Sequence, residues 1–201
     1  MASAAEQLAG NLNLGAFSKA TELKQRIWFT LLALMVYRLA TYIPLPGIDP
    51  VALEQMFSQN STGILGMLDL FNGGAIQRMS LIALGIMPYI SSSIIMQLMT
   101  SMSASLKELK KEGESGRRKI NQYTRYGTVV LCIVQAYAIS TGLESGIAIE
   151  PGMFFRMTTV ITLVGGTMFL VWLGEQITAR GVGNGISLII IAGIVAQLPV
   201  A

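Results

Sequence analysis

Lys111-Glu-Gly-Glu-Ser-Gly-Arg-Arg-Lys119 decides the fold class, because this charged, glycine-broken stretch stands between two long apolar runs. Residues 75–102 before it and 126–143 after it are long enough to cross a hydrocarbon core, which takes about 20 mostly apolar residues. The stretch must therefore lie at one face of a membrane. Lys107, Lys110, Lys111, Arg117, Arg118 and Lys119 indicate the cytoplasmic face, since short loops rich in Lys and Arg are retained there.

Composition agrees with a membrane chain: 52% of the 201 residues are hydrophobic and 12% are charged. With no His, the chain offers no imidazole base, no Ser-His-Asp triad and no ordinary zinc site. The single Cys132 lies inside an apolar run, which excludes a disulfide scaffold and reads as a small buried hydrophobe. No nucleotide, cofactor or metal motif appears. The glycines of residues 174–185 lack a preceding strand, the full dinucleotide fingerprint and a Walker lysine, so they read as a tight backbone connection.

Outward from the charged stretch, the fold expected is an all-α, polytopic transmembrane bundle. Residues 1–16 read as a cytoplasmic tail. Phe17–Arg26 can form a short amphipathic helix along the membrane surface, or be only the polar lead into the first span. Spans are expected at about 27–43, 75–102, 126–143, 157–173 and 186–201, with cytoplasmic loops at 103–125 and 174–185. Pro44-Leu-Pro-Gly47 ends the first span, because its prolines cannot donate to a helix and Gly47 permits a turn. Lys19, Lys24, Arg26, the six basic residues of the first loop, Arg125 and Arg180 make eleven of fourteen Lys and Arg on the inner side. Arg38, near the outer end of the first span, fits snorkelling or an ion pair within the bundle.

Residues 64–72 are too short to span and too apolar for an exposed loop, so they would plug or line a cavity, or lie flat on the outer surface. The second span carries Gly85 and Pro88, which predict a kink. One of its helical faces reads Ile86, Ile90, Ser93, Gln97, with Ser91 and Ser92 beside it. Such a face suits a pore wall with an apolar constriction, or helix-to-helix contact through hydroxyls and amides.

Several long strings then carry a specific resemblance. Pro44-Leu-Pro-Gly-Ile-Asp49, Ala83-Leu-Gly-Ile-Met-Pro-Tyr-Ile-Ser91, Lys110 to Ile120, Gln122-Tyr-Thr-Arg-Tyr-Gly127, Trp172 to Thr178 and Gly183-Asn-Gly-Ile-Ser187 resemble the N-terminal half of the SecY family, the channel subunits of bacterial protein translocation. The resemblance implies one half of an inverted-repeat channel with a short re-entrant plug helix. By position it implies a pore ring of Ile86, Ile90, Ile186 and Ile190. It also implies a plug of Ile64, Leu65, Gly66, Met67, Leu68, Asp69, Leu70, Phe71 and Asn72, and a lateral gate with Ser91, Ser92, Ser93 and Gln97 as candidates for its polar lining.

The implied function is a protein-conducting pore that moves secretory proteins across, and membrane proteins into, the plasma (inner) membrane. Implied partners are SecE and SecG subunits, a SecA-type motor ATPase, the ribosome, signal sequences, translocating polypeptides and lipids, with no nucleic acid except through the ribosome. No cofactor is implied. The opposing gate helix and the large cytoplasmic loops of the other half are absent, so the chain alone is not expected to seal a channel. A small-solute secondary transporter would share broken helices but should carry a buried ionisable pair at mid-membrane, and none is found. An intramembrane enzyme would need paired catalytic groups within spans, whereas Asp49 and Asp69 fall in outer segments.

Overall fold

The computed structural model describes residues 21–60, 69, 72–144 and 146–197, with only the backbone of 56–60. Seven helices occur among the described residues: α1 (Thr21–Ala40), α2 (Pro50–Asn60), α3 (Met87–Met102), α4 (Ala104–Lys111), α5 (Glu114–Glu144), α6 (Met153–Arg180) and α7 (Gly185–Gln197). The described residues contain no strand beyond two isolated bridges, Pro44 with Ser80 and Ile48 with Ala148. Helices α5 and α6 are long and apolar enough to cross a membrane. At about 1.5 Å per residue their 31 and 28 residues reach about 46 and 42 Å, well beyond a hydrocarbon core of about 30 Å.

The two long helices form the spine. Small residues let them approach: Thr128, Cys132, Ala136 and Ser140 recur every fourth residue on α5 and are fully buried, facing buried Thr159, Leu163 and Thr167 of α6. Lipid offers no hydrophobic drive between spans, so such close backbone packing is what joins them. α3 packs along α5, while α1 and α7 pack on α6. At Gly166 of α6, an added Cβ would lie 2.0 Å from the Leu81 carbonyl oxygen, so that position admits no side chain.

The charged stretch is a helical hairpin rather than a loop. Gly113 takes φ +77° between α4 and α5, a turn that L side chains rarely adopt. Three residues on, a Cβ at Gly116 would lie 1.7 Å from the Leu109 carbonyl oxygen, so glycine also sets how closely the arms cross. All six basic side chains of the hairpin are exposed. Their ion pairs, Arg118 to Glu114 at 3.9 Å and Lys119 to Glu112 at 4.0 Å, join exposed groups and contribute at most about 1 kcal/mol each. Residues 174–185 likewise hold more helix than expected, since α6 runs to Arg180. The remaining turn is tight, as expected: Thr178 Oγ1 accepts from the Gly185 N–H (2.9 Å) and Thr30 Oγ1 from the Val182 N–H (3.1 Å).

Two further expectations change. The stretch 21–26 is the first turn of α1, continuous with the expected span and not a separate surface helix; residues 17–20 lie outside the described residues. The stretch 75–102 is helical only from Met87, not a kinked helix throughout. Pro88 sits at the first helical turn, where its missing N–H costs nothing, and Gly85 precedes it at φ +57°. Residues 72–86 form successive turns, largely buried in the bundle, which is where irregular backbone at membrane depth is tolerated.

At the end opposite the hairpin, the Pro-Gly motif is a clip. The Leu45 N–H donates to the Met79 carbonyl (2.9 Å) and the Leu81 N–H to that of Ile43 (2.9 Å). On the other side, the Asp49 N–H donates to the Ile147 carbonyl (3.0 Å) and the Ile149 N–H to that of Gly47 (3.1 Å). Gly47, at φ +86°, makes the bend that lets one segment pair on both sides.

Candidate functional site

An apolar cleft of about 260 Å³ opens where α3, α6 and α7 meet the irregular segment. Ile82, Ile86, Met87, Ile90, Leu170, Ile189 and Ile190 supply its greasy wall, with Tyr37, Asn72 and Gly85 completing it. Its described lining contains no Asp, Glu, Lys or Arg. Ile86 caps α3 and its carbonyl accepts the Ile90 N–H (3.0 Å), so the two isoleucines stand one turn apart.

Three of the four expected ring residues, Ile86, Ile90 and Ile190, thus meet at one cleft. Ile186 does not line it. The Gly174 and Gly185 backbones meet so closely that a Cβ on Gly185 would lie 2.0 Å from the Gly174 carbonyl oxygen, and Ile186 packs beside Gly174. Ile189, 1% exposed, lines the cleft instead. That close crossing fixes the rotation of α7, and nothing in the order of the isoleucines reports it.

Of the expected plug, Asp69 and Asn72 are described; Ile64, Leu65, Gly66, Met67, Leu68, Leu70 and Phe71 lie outside the described residues. Asp69 is buried, and its Oδ1 accepts from the Ile76 N–H (2.9 Å) and the Gln77 N–H (3.0 Å). Its carbonyl accepts from Asn72 and Gly74, so one residue fastens the start of the irregular segment. Asn72 Nδ2 donates to the Ala83 carbonyl (3.2 Å), and its amide fills the space that a side chain on Gly85 would need. Arg38 neither snorkels free nor pairs with a described carboxylate. It donates to the Gly73 carbonyl (2.8 Å), which binds α1 to the same segment, and Tyr42 lies under the guanidiniums of Arg38 and Arg78.

The gate candidates separate. Ser91 and Gln97 are exposed and Ser93 is half-buried, with Gln97 Nε2 donating to Ser93 Oγ at 3.4 Å. Ser92 faces the other way: it is buried and donates to the Thr124 carbonyl of α5 (2.8 Å), where Gly127 makes room for it. Ser92 is therefore helix-to-helix contact. Sequence reasoning also passed over Arg125 and Glu175, which form a bidentate pair between α5 and α6, Nε to Oε1 at 2.7 Å and Nη2 to Oε2. Their signal was opposite charges near the hairpin-side ends of adjacent helices.

The described residues thus form an all-helical bundle with an apolar cleft under a fastened irregular segment. The family model for SecY matches residues 80–201, and the chain belongs to the SecY family. It is 60% identical over 180 residues to the protein translocase subunit SecY of Pseudomonas aeruginosa, covering 89% of this chain and 41% of that protein. It is 57% identical over 185 residues to that of Escherichia coli K12, covering 90% and 42%. The chain thus spans about two fifths of the length of these relatives.

Solved channels share the fold. A structure addressing how the SecY plug domain stabilises the closed channel superposes with TM-score 0.64 at 22% identity, over 89% of this chain and 37% of that one. Sec61 in a canine ribosome-channel complex gives 0.61 at 23%, over 87% and 37%.

Proposed function

We propose that this chain supplies one half of a protein-conducting pore, which moves secretory proteins across, and membrane proteins into, the plasma membrane, without catalysing a covalent reaction. The observation that carries this is the convergence of Ile86, Ile90 and Ile190 on a cleft whose described lining carries no charge, beneath the Asn72 end of the expected plug. A narrow apolar constriction dewets and blocks ions at rest, yet offers a passing chain no strong hydrogen bonds. The buried ionisable pair expected of a small-solute transporter is not among the described lining residues.

On this reading the basic hairpin is cytoplasmic, with the N-terminus on the same side, and the Pro-Gly clip faces outward. Trp28, Leu31, Leu32, Met35 and Leu39 form an exposed flank of α1 that lipid or small subunits of the SecE and SecG kind would cover. A SecA-type ATPase and the ribosome are the expected sources of driving force, and Ser91, Ser93 and Gln97 the polar side of a gate open to signal sequences.

The test is disulfide cross-linking of a stalled secretory polypeptide to Ile86→Cys and Ile190→Cys in the full-length protein carrying Cys132→Ser. Val134→Cys, 62% exposed on the outer flank of α5, is the lipid-facing control. Adducts at both cleft positions and none at Val134→Cys are expected. An engaged precursor that reaches neither cleft position would reduce these isoleucines to packing residues.

A further inference from the structure

A continuous set of contacts leads from the helix carrying Ile86 and Ile90 to the one carrying Ile190. It starts on α3, where the buried Ser92 hydroxyl donates to the Thr124 carbonyl of α5. The next residue, Arg125, clasps Glu175 of α6 with both arms of its guanidinium. The residue before Glu175 is Gly174, whose backbone abuts Gly185 and Ile186 at the start of α7. Tyr89, in the first turn of α3, lies within electrostatic reach of both charges.

Apart from the Arg125–Glu175 pair, the links are a serine-to-carbonyl hydrogen bond, adjacency along the chain and close glycine backbone contact. The Arg125–Glu175 pair joins α5 and α6 side chain to side chain at the hairpin end, as Glu144 and Arg156 do at the opposite end, and it is 48% and 29% exposed, so both groups keep part of their hydration. Its bidentate form fixes geometry as well as distance, which a single lysine contact would not do. It also sits one residue from the α3 attachment on α5 and one residue from the α7 attachment on α6.

We propose that Arg125 and Glu175 are positioning residues: a strut that sets the separation of α3 and α7, and through it the width of the constriction between Ile90 and Ile190. This rests on the pore reading. Neither residue touches the cleft, so the pair acts through the helices it joins. Energetic coupling of this kind requires an element whose arrangement both ends bias, and a double-mutant comparison is the measure of it.

The experiment uses the full-length protein with Cys132→Ser, spin-labelled at Ile94→Cys on α3 and Ile191→Cys on α7, both about half exposed. The α3–α7 distance distribution is recorded, with the resting ion leak of proteoliposomes measured on unlabelled protein. Arg125→Gln and Glu175→Gln are expected to broaden the distribution and raise the leak about fivefold or more. Arg125→Lys should fall between, and the reversed pair Arg125→Glu with Glu175→Arg should restore both readouts. Single variants with the parental distribution and leak, or a reversed pair as loose as the singles, would overturn the strut. If the parental protein moves no precursor, the pore reading fails, while the distance measurement still decides the strut.

Discussion

Replacing Gly166 by alanine should be among the most damaging single-methyl changes in this bundle. The new Cβ would sit 2.0 Å from the Leu81 carbonyl oxygen and 2.8 Å from its carbon, whereas ordinary contact begins at 3.4 Å. More than 1 Å of separation must be found. The obstacle is backbone, and it cannot drift away freely: the Leu81 N–H donates to the Ile43 carbonyl at 2.9 Å, within the Pro-Gly clip. Overpacking of this kind costs about 1–3 kcal/mol, and the rigid neighbour places Gly166→Ala at the upper end.

The adjacent Gly165 supplies the control, because a Cβ there meets nothing within 4 Å and the residue is exposed. Gly165→Ala removes only a helix-propensity penalty and should stabilise by about 0.8–1 kcal/mol. The propensity gain is common to both variants, one residue apart on one helix, so they should differ by the clash, about 1–3 kcal/mol. Reversible denaturant unfolding of the chain in mixed micelles, followed by far-ultraviolet circular dichroism, reads the difference. Equal stabilities for the two variants would refute the claim that α6 touches the irregular segment through bare backbone.

Other positions give further expectations. Thr30→Val leaves the Val182 N–H without its acceptor and should cost about 1–3 kcal/mol in the same assay, while Thr30→Ser retains most of the stability. Asp69→Ala removes the acceptor of two backbone N–H groups and should cost about 2–3 kcal/mol, with amide exchange at Ile76 and Gln77 rising ahead of the rest; unchanged exchange there would count against it. Gly127→Ala places a Cβ 2.5 Å from Ser92 Oγ, so its cost should fall when combined with Ser92→Ala, giving a coupling of about 0.5–3 kcal/mol in a double-mutant cycle; strict additivity would place Ser92 elsewhere.

The long helices were legible because α5 and α6 hold unbroken apolar runs of membrane length, and length with hydropathy is a local property. The hairpin was legible as charge but not as helix: in Ala104–Lys111 only Leu106 and Leu109 punctuate a polar stretch, and the device that folds it back is the bare backbone of Gly113 and Gly116. Residues 72–86 misled for the opposite reason. Their composition suits a span, but Asp69 and Asn72 bind their backbone groups, and Arg38 of α1 and the Pro-Gly clip hold them from distant parts of the chain. The cleft isoleucines on α3 followed from helical spacing, because Ile86 and Ile90 share one turn. On α7 the same spacing admitted Ile186 with Ile190, and only the glycine crossing with α6 turns Ile189 inward and Ile186 aside.

The Pro-Gly clip also imposes an order in time. Its inner pairing, Pro44 with Ser80, joins residues 36 apart in sequence, while its outer one, Ile48 with Ala148, waits for a partner 100 residues later. At about 5–20 residues per second, ribosomal synthesis separates the arrival of Ser80 and Ala148, 68 residues apart, by about 3–14 s. Throughout that interval α1 and the irregular segment can pair with each other, but the far end of the bundle stays open until the turn after α5 has been made. The last contact of the clip is thus a record that α1, α3 and α5 have all been delivered, and the half-bundle closes only once they have.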